Sequence, residues 1–186
     1  MYKENIKISM VRSPCYRYTF QPTKLKELVA SKIEGNKILN LFAGKTILHP
    51  LEVRVDCDAT MPNIHYKMKV EDFLKINKET WNTIIYDPPW NARKAREKYY
   101  GQYIGRHIKS SDKIEKVRYI GVFTKLKNNI VEILKLNGII ISAGYEIDNF
   151  GKGRGMKLER VIVVNPSGDI KPFFITVERK INNVFF

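Results

Sequence analysis

Cysteine, histidine, acidic side chains and long apolar runs are all scarce in this chain, and each scarcity removes a class of explanation. Two cysteines, Cys15 and Cys57, make neither a disulfide framework nor a zinc pattern. They read as free thiols in a reducing compartment. His49, His65 and His107 are the three histidines, and none sits at metal-ligand spacing, so no metal is expected. No run approaches the roughly 18 apolar residues of a membrane span. The first residues, MYKENIKISMVRSPCYRYTF, lack the apolar core of a secretion signal. The expectation is a cytoplasmic chain with no membrane partner. Repeats and low-complexity linkers are also missing. The 186 residues suffice for one domain with a real core, so 1–186 reads as a single domain.

The shortage of acids leaves an excess of the other sign. Nineteen Asp and Glu stand against 33 Lys and Arg, a formal charge of +14. Such an excess speaks about partners rather than about fold. The usual partner is a polyanion, most often nucleic acid. A lysine-rich compositional bias would give the same count, so the charge alone decides nothing about chemistry.

Apolar runs bounded by turn residues recur along the chain: 37–42, 51–55, 81–86, 137–145, 158–165 and 172–180. Their Ile and Val content predicts strands, and the central ones are continuous rather than alternating, as in a sheet covered on both faces. Helical spacing appears in 23–33 (Leu25, Leu28, Val29, Ile33) and in 125–136 (Leu126, Ile130, Ile133, Leu134), and 69–76 reads as a short helix or turn. Alternating helix and strand with a β–β tail predicts an α/β, Rossmann-like sheet, mostly parallel with an antiparallel C-terminal edge. In such sheets ligands bind beyond the carboxyl ends of the strands. Three strands end in suggestive chemistry, at Gly44, Asp56 and Asp87.

Each of these ends has a plain reading and a chemical one. Ala43-Gly44 is either a simple strand-ending turn or a place where backbone approaches a ligand closely. The Gly-Lys-Thr that follows is not a phosphate loop, because Leu39 occupies the position where that motif needs glycine. Asp56, with Asp58 in reserve, is either a solvated loop acid or an acceptor for a ribose diol. The link from Gly44 to Glu52 is too short for a full crossover helix and predicts a clipped connection of one or two turns. Asp87-Pro88-Pro89-Trp90 is the most specific signal. An exocyclic amine on a nucleobase is a poor nucleophile, because its lone pair is delocalised into the ring. A carboxylate and a carbonyl on its two N–H bonds would favour tetrahedral nitrogen. Proline keeps its carbonyl and fixes φ. An aromatic at the fourth position can stack on the base, worth about 1–3 kcal/mol. The plain alternative is a structural Pro-Pro turn with a buried Trp.

Asp87-Pro88-Pro89-Trp90 resembles the catalytic motif of S-adenosylmethionine-dependent amino-methyltransferases acting on adenine N6 or cytosine N4. NLFAG (40–44) resembles their cofactor strand and turn, and FQPTKL (20–25) their N-terminal motif. Together with YDPPWNARKAREKYYG and GYEIDNFGKGRGMKLERVIVVNPSG, these segments look like a family of compact archaeal predicted methyltransferases. The resemblance implies S-adenosylmethionine as cofactor. Phe20 and Pro22 would close over its methionine end, Phe42, Ala43 and Gly44 would line it, and Asp56 would hold its ribose. Asp87 and the Pro88 carbonyl would bind the target amine, with Trp90 stacking. Two departures stand out. Lys45 and Thr46 replace the second glycine of the cofactor loop. Lys69 stands where the family acid touches the adenine, leaving Asp72 or the backbone near Val70 as substitutes.

The segment 92–118 carries nine Lys and Arg against three acids, with tyrosines interleaved. Arg93, Lys94, Arg96, Tyr99 and Tyr100 are its candidates for phosphate and base contact. It reads as a substrate-contacting insertion or lid, or as a solvated basic cover. FGKGRGMK (150–157) reads as a mobile loop with Lys152 and Arg154 available for phosphate. The expected reaction is methyl transfer to a nucleobase amine, adenine N6 in DNA first. RNA bases (guanine N2 among them) and a nucleic-acid-binding subunit with a degenerate cofactor site are the alternatives. A specificity subunit or a homodimer partner stays open.

Overall fold

Strands that are apolar on both faces must be covered on both faces, and the architecture follows from that need. The computed structural model describes residues 5–16, 18–58, 60–88, 124–145, 147, 150–166 and 171–184. Among these, seven strands form one sheet: β1 (Lys7–Arg12), β2 (Ile38–Leu41), β3 (Glu52–Val55), β4 (Trp81–Tyr86), β5 (Leu134–Gly144), β6 (Met156–Asn165) and β7 (Phe173–Lys180). Their spatial order is β1-β6-β7-β5-β4-β2-β3. All pairings are parallel except the two made by β7, which runs against both β5 and β6. The mostly parallel α/β sheet with a reversed C-terminal element is therefore present. The reversed strand is inserted between β5 and β6, and β1 forms the rim.

One face of the sheet presents Leu39, Leu41, Val55, Ile84, Tyr86 and Ile140. It is covered by α2 (Val70–Ile76), through Val70, Phe73 and Leu74, and by the helical residues 124–132 (α3), through Leu126, Ile130 and Val131. The other face presents Ile85, Ile139, Ile141, Ile162 and Ile175 to Leu25 and Val29 of α1 (Thr23–Ala30). Pro22 starts α1, where its missing N–H costs nothing. No helix among the described residues is long and apolar enough to cross a membrane.

Several expectations need correction. α3 stops at residue 132, and Leu134 already pairs with Trp81 as the first residue of β5. The ammonium of Lys180 ends the helix by donating to the Val131 and Leu134 carbonyls, a favourable place for a cation. Its burial pushes the Lys180 pKa down. The link from Gly44 to Glu52 contains no helix, only a single hydrogen-bonded turn at its end, from the Glu52 N–H to the His49 carbonyl. The loop at 150–157 is not loosely held. Phe150 and Gly151 donate their backbone N–H groups to the buried Glu178 carboxylate at 2.9–3.2 Å. Arg154 is bound to Asn128 and to the Phe150 carbonyl, so it is not offered to phosphate. β1 was not foreseen. Its side chains are mostly exposed, Ile8 and Met10 among them.

At the pole of the sheet away from the strand ends discussed above, Arg179 joins Glu34, Glu159 and the Asn137 carbonyl. The hydrogen bond from Arg179 holds the Glu34 carboxyl below the usual glutamate range, against the opposing effect of partial burial. A lowered native pKa contributes stability that is complete above the unfolded-chain value of about 4.3. That stability is lost as pH falls through the lowered native value. Glu34→Gln is thus expected to cost under about 1 kcal/mol at neutral pH, because the pair is solvent-screened. The difference from wild type should vanish in acid, which urea melts at a series of pH values would check.

Candidate active site

Register places the ends of three neighbouring strands at one level. Leu41 of β2 pairs with Val55 of β3 and with Tyr86 of β4. The next residues, Phe42, Asp56 and Asp87, therefore leave the sheet side by side. This is the juxtaposition expected of Gly44, Asp56 and Asp87, produced by parallel pairing alone.

The turn after β2 has an unusual backbone. Phe42 (φ 61°) and Gly44 (φ 55°) are both left-handed. An aromatic residue there costs about 1–2 kcal/mol, so its surroundings must impose the shape. The partly buried Phe42 ring meets Tyr86 edge-on at 5.7 Å, and Tyr86 meets Phe150 in the same way at 5.3 Å. The Gly44 N–H donates to Asp56 Oδ2 at 2.8 Å, and the Asp58 N–H donates to Asp56 Oδ1 at 2.9 Å. Asp56 is thereby fixed against the turn. Each of its oxygens keeps acceptor capacity beyond these single bonds. Asp58 is turned to Thr60, accepting from its N–H and its hydroxyl. Cys57 lies beside Asp56. Burial first, then the Asp56 charge, push its thiol pKa up, so it is no thiolate nucleophile at neutral pH.

Below the turn lies a group that the sequence reading missed. Glu52, Arg54 and Asp56 alternate along β3 and its end, hence share one face. Glu52 and Arg54 are both buried and ion-paired at 2.6 Å. Arg54 Nη1 also donates to the Thr46 carbonyl at 2.6 Å, and Nη2 to those of Gly44 (2.8 Å) and Ala43 (3.3 Å). Glu52 accepts from the Leu48 N–H and from Asn40 Nδ2. These contacts replace helical hydrogen bonds and explain why the link needs no turn of helix. The available signal was two opposite charges two residues apart in a run otherwise apolar.

The N-terminal segment crosses above. Thr19 donates its hydroxyl to Asp87 Oδ1 at 3.0 Å. Tyr18 packs over Gly44, with Lys45 Nζ 5.7 Å from its ring centre. A methyl group added at Gly44 would sit 3.0 Å from Tyr18 Cδ1. With its left-handed φ, Gly44→Ala is expected to cost about 1–2 kcal/mol, read as a lowered urea midpoint. Phe20 and Pro22 are buried just after this contact, Phe20 within the core. Val70 also belongs to the core by its side chain. Asp72 is exposed and bonded to Lys75, which lowers its pKa. It is thus turned to its own helix rather than to the turn. Pro88 is half-buried beside Asp87. Pro89, Trp90 and the segment 92–118, with Arg93, Lys94, Arg96, Tyr99 and Tyr100, lie outside the described residues.

No protein-family model and no curated protein sequence matches the chain. Solved structures do. TrmN from Thermus thermophilus superposes with a TM-score of 0.57 at 13% identity, covering 86% of this chain and 49% of TrmN. NSun6 from Pyrococcus horikoshii, solved with SFG, gives 0.52 at 16% identity, covering 85% and 51%. The N-methyltransferase NodS from Bradyrhizobium japonicum WM9 gives 0.51 at 11%, covering 86% and 94%. The chain spans about half the length of the first two. Identities this low speak of architecture only. Strand order, the single reversed strand and these superpositions agree: the chain has the Rossmann-like methyltransferase fold.

Proposed function

We propose that the chain is an S-adenosylmethionine-dependent methyltransferase acting on the exocyclic amine of a nucleobase, adenine N6 in DNA first. The observation that carries this reading is the convergence of Gly44, Asp56 and Asp87 at one level of the sheet, with Thr19 bonded to Asp87. The residues present suit the cofactor. The left-handed turn at Phe42 and Gly44 brings backbone to the strand ends, and Asp56 offers a carboxylate from the adjacent strand. When bound, the cofactor supplies an electrophilic methyl group on a sulfonium.

Phe42, Ala43 and Gly44 would line its methionine end, with the segment at Phe20 and Pro22 closing over it. Asp56 would accept from the ribose. Asp87 and the Pro88 carbonyl would accept the two N–H bonds of the target amine, and Trp90 would stack on the base. As nitrogen gains the methyl group it becomes cationic, and both acceptors stabilise that charge. One amine proton would pass to Asp87 or to water, with S-adenosylhomocysteine as the co-product. No covalent enzyme intermediate is required, in keeping with the protonated Cys57 thiol. A base in duplex DNA would have to flip out, at a cost of about a few kcal/mol. Arg93, Lys94, Arg96, Tyr99 and Tyr100 would hold the strand.

Incubation of the purified protein with tritiated S-adenosylmethionine and separate pools of unmethylated DNA, total RNA and protein tests the reading. Label recovered as N6-methyladenine in DNA supports it. Label in RNA alone keeps the chemistry and changes the substrate. No label, with no heat of cofactor binding by calorimetry, makes the chain a binding subunit and sinks the reading.

A further inference from the structure

The Glu52–Arg54 pair is an expensive thing to place under a turn. Both side chains are 1% exposed. Taking two charges out of water is seldom repaid in stability, and well-packed apolar replacements of such pairs are often neutral or stabilising. This pair is not even fully satisfied. Among the described residues, Arg54 Nε is buried with no hydrogen-bond partner. Ion pairing as such therefore does not account for the pair.

Its geometry does. Three carbonyls of the turn, those of Ala43, Gly44 and Thr46, converge on one guanidinium. A planar fork with five donors can gather these three carbonyls and the Glu52 carboxylate in a fixed arrangement, whereas an ammonium has three donors for the four acceptors. Glu52 orients that fork through Nη1 and pins Leu48 further along the loop. Asp56, on the same face, takes the Gly44 N–H. The backbone between Ala43 and Leu48 is thus held from below by one strand face, in a stretch with no helical hydrogen bonds of its own.

We propose that the buried Glu52–Arg54 pair is the positioning element of the cofactor loop. It presets the backbone of residues 43–48 for the methionine end of the cofactor and is dispensable for folding. This inference rests on the function proposed above. Presetting a loop raises affinity by removing the ordering cost from the binding step.

The test is the double variant Glu52→Leu/Arg54→Met, with Arg54→Lys as a second variant that keeps the ion pair but not the fork. Stability is read by thermal melting and affinity for S-adenosylhomocysteine by calorimetry. Both variants are expected to fold, the double one melting below wild type by no more than the lost hydrogen bonds to the loop and Asn40 account for. Both should bind S-adenosylhomocysteine about tenfold or more weakly. Wild-type affinity in either folded variant overturns the positioning role, and so does a double variant that fails to fold. If the wild-type protein itself binds no S-adenosylhomocysteine, the proposed function falls, and the inference with it.

Discussion

Asp87→Ala should lower kcat for methyl transfer by about a hundredfold to a thousandfold, the range found when one donor or acceptor aimed at developing charge is removed. In the proposed reaction the carboxylate would meet an N–H bond whose polarity rises as nitrogen takes up the methyl group. The loss should therefore fall on kcat rather than on KM. Asp87→Asn is a sharper version. It preserves shape but can present its NH2 to an amine that also donates, and it should be nearly as damaging. Asp87 is half-buried and accepts from the Thr19 hydroxyl, so Asp87→Ala should lower the urea midpoint modestly while Asp87→Asn, which keeps an oxygen for Thr19, should shift it less. Single-turnover rates with either variant within about threefold of wild type would remove Asp87 from the chemistry.

The second large effect is on stability. Arg54→Met alone leaves the Glu52 carboxylate buried without its cation, and the Ala43, Gly44 and Thr46 carbonyls without their donor. Breaking one side of a buried pair costs about 3–5 kcal/mol. For a chain of this size that is a drop of roughly 6–20 °C in melting temperature. Adding Glu52→Leu should recover only part of the loss: the remaining charge is gone, but the three carbonyls still lack their donor and the Leu48 N–H and Asn40 Nδ2 lose their acceptor. A double-mutant cycle over Glu52 and Arg54 measures the coupling directly. A single variant as stable as wild type would mean that water or a relaxed loop satisfies Glu52.

Continuous Ile and Val runs made the sheet legible, since only burial on both faces tolerates them. Gly44, Asp56 and Asp87 were legible as strand-end chemistry because each directly follows, or nearly follows, such a run. Their meeting depended on register, which hydrophobic pattern specifies and the structure displays. Other features were hidden for physical reasons. Glu52 and Arg54 look like the solvated positions of a half-exposed strand, and only the loop folded over them makes them internal. Glu178 reads as a surface acid in TVERK, yet it is fully buried because Phe150 and Gly151 turn their N–H groups onto it. Helical spacing carried α3 into Leu134, since an apolar residue serves a helix end and a strand start equally well. In β1 the alternation Ile6, Ile8, Met10 was available, but Ile8 and Met10 remain exposed, and Val11 is the residue that packs on the core. Pattern would have placed that strand the wrong way round.

The position of β7 has a consequence for the order of assembly during synthesis. The strand that joins the two halves of the sheet is made after both of them. Until Phe173–Lys180 emerges, β5 has no partner on one side, and β6 with β1 has nothing linking it to the rest. A ribosome-bound chain ending before β7 would hold β5, β4, β2 and β3 as a nascent core, with β1 and β6 stranded. Closure then pairs β7 with its sequence neighbour β6 across a short link and with β5 across a longer one, and until it happens two open sheet edges are prone to association with other chains. Folding of this protein should follow translation rather than accompany it.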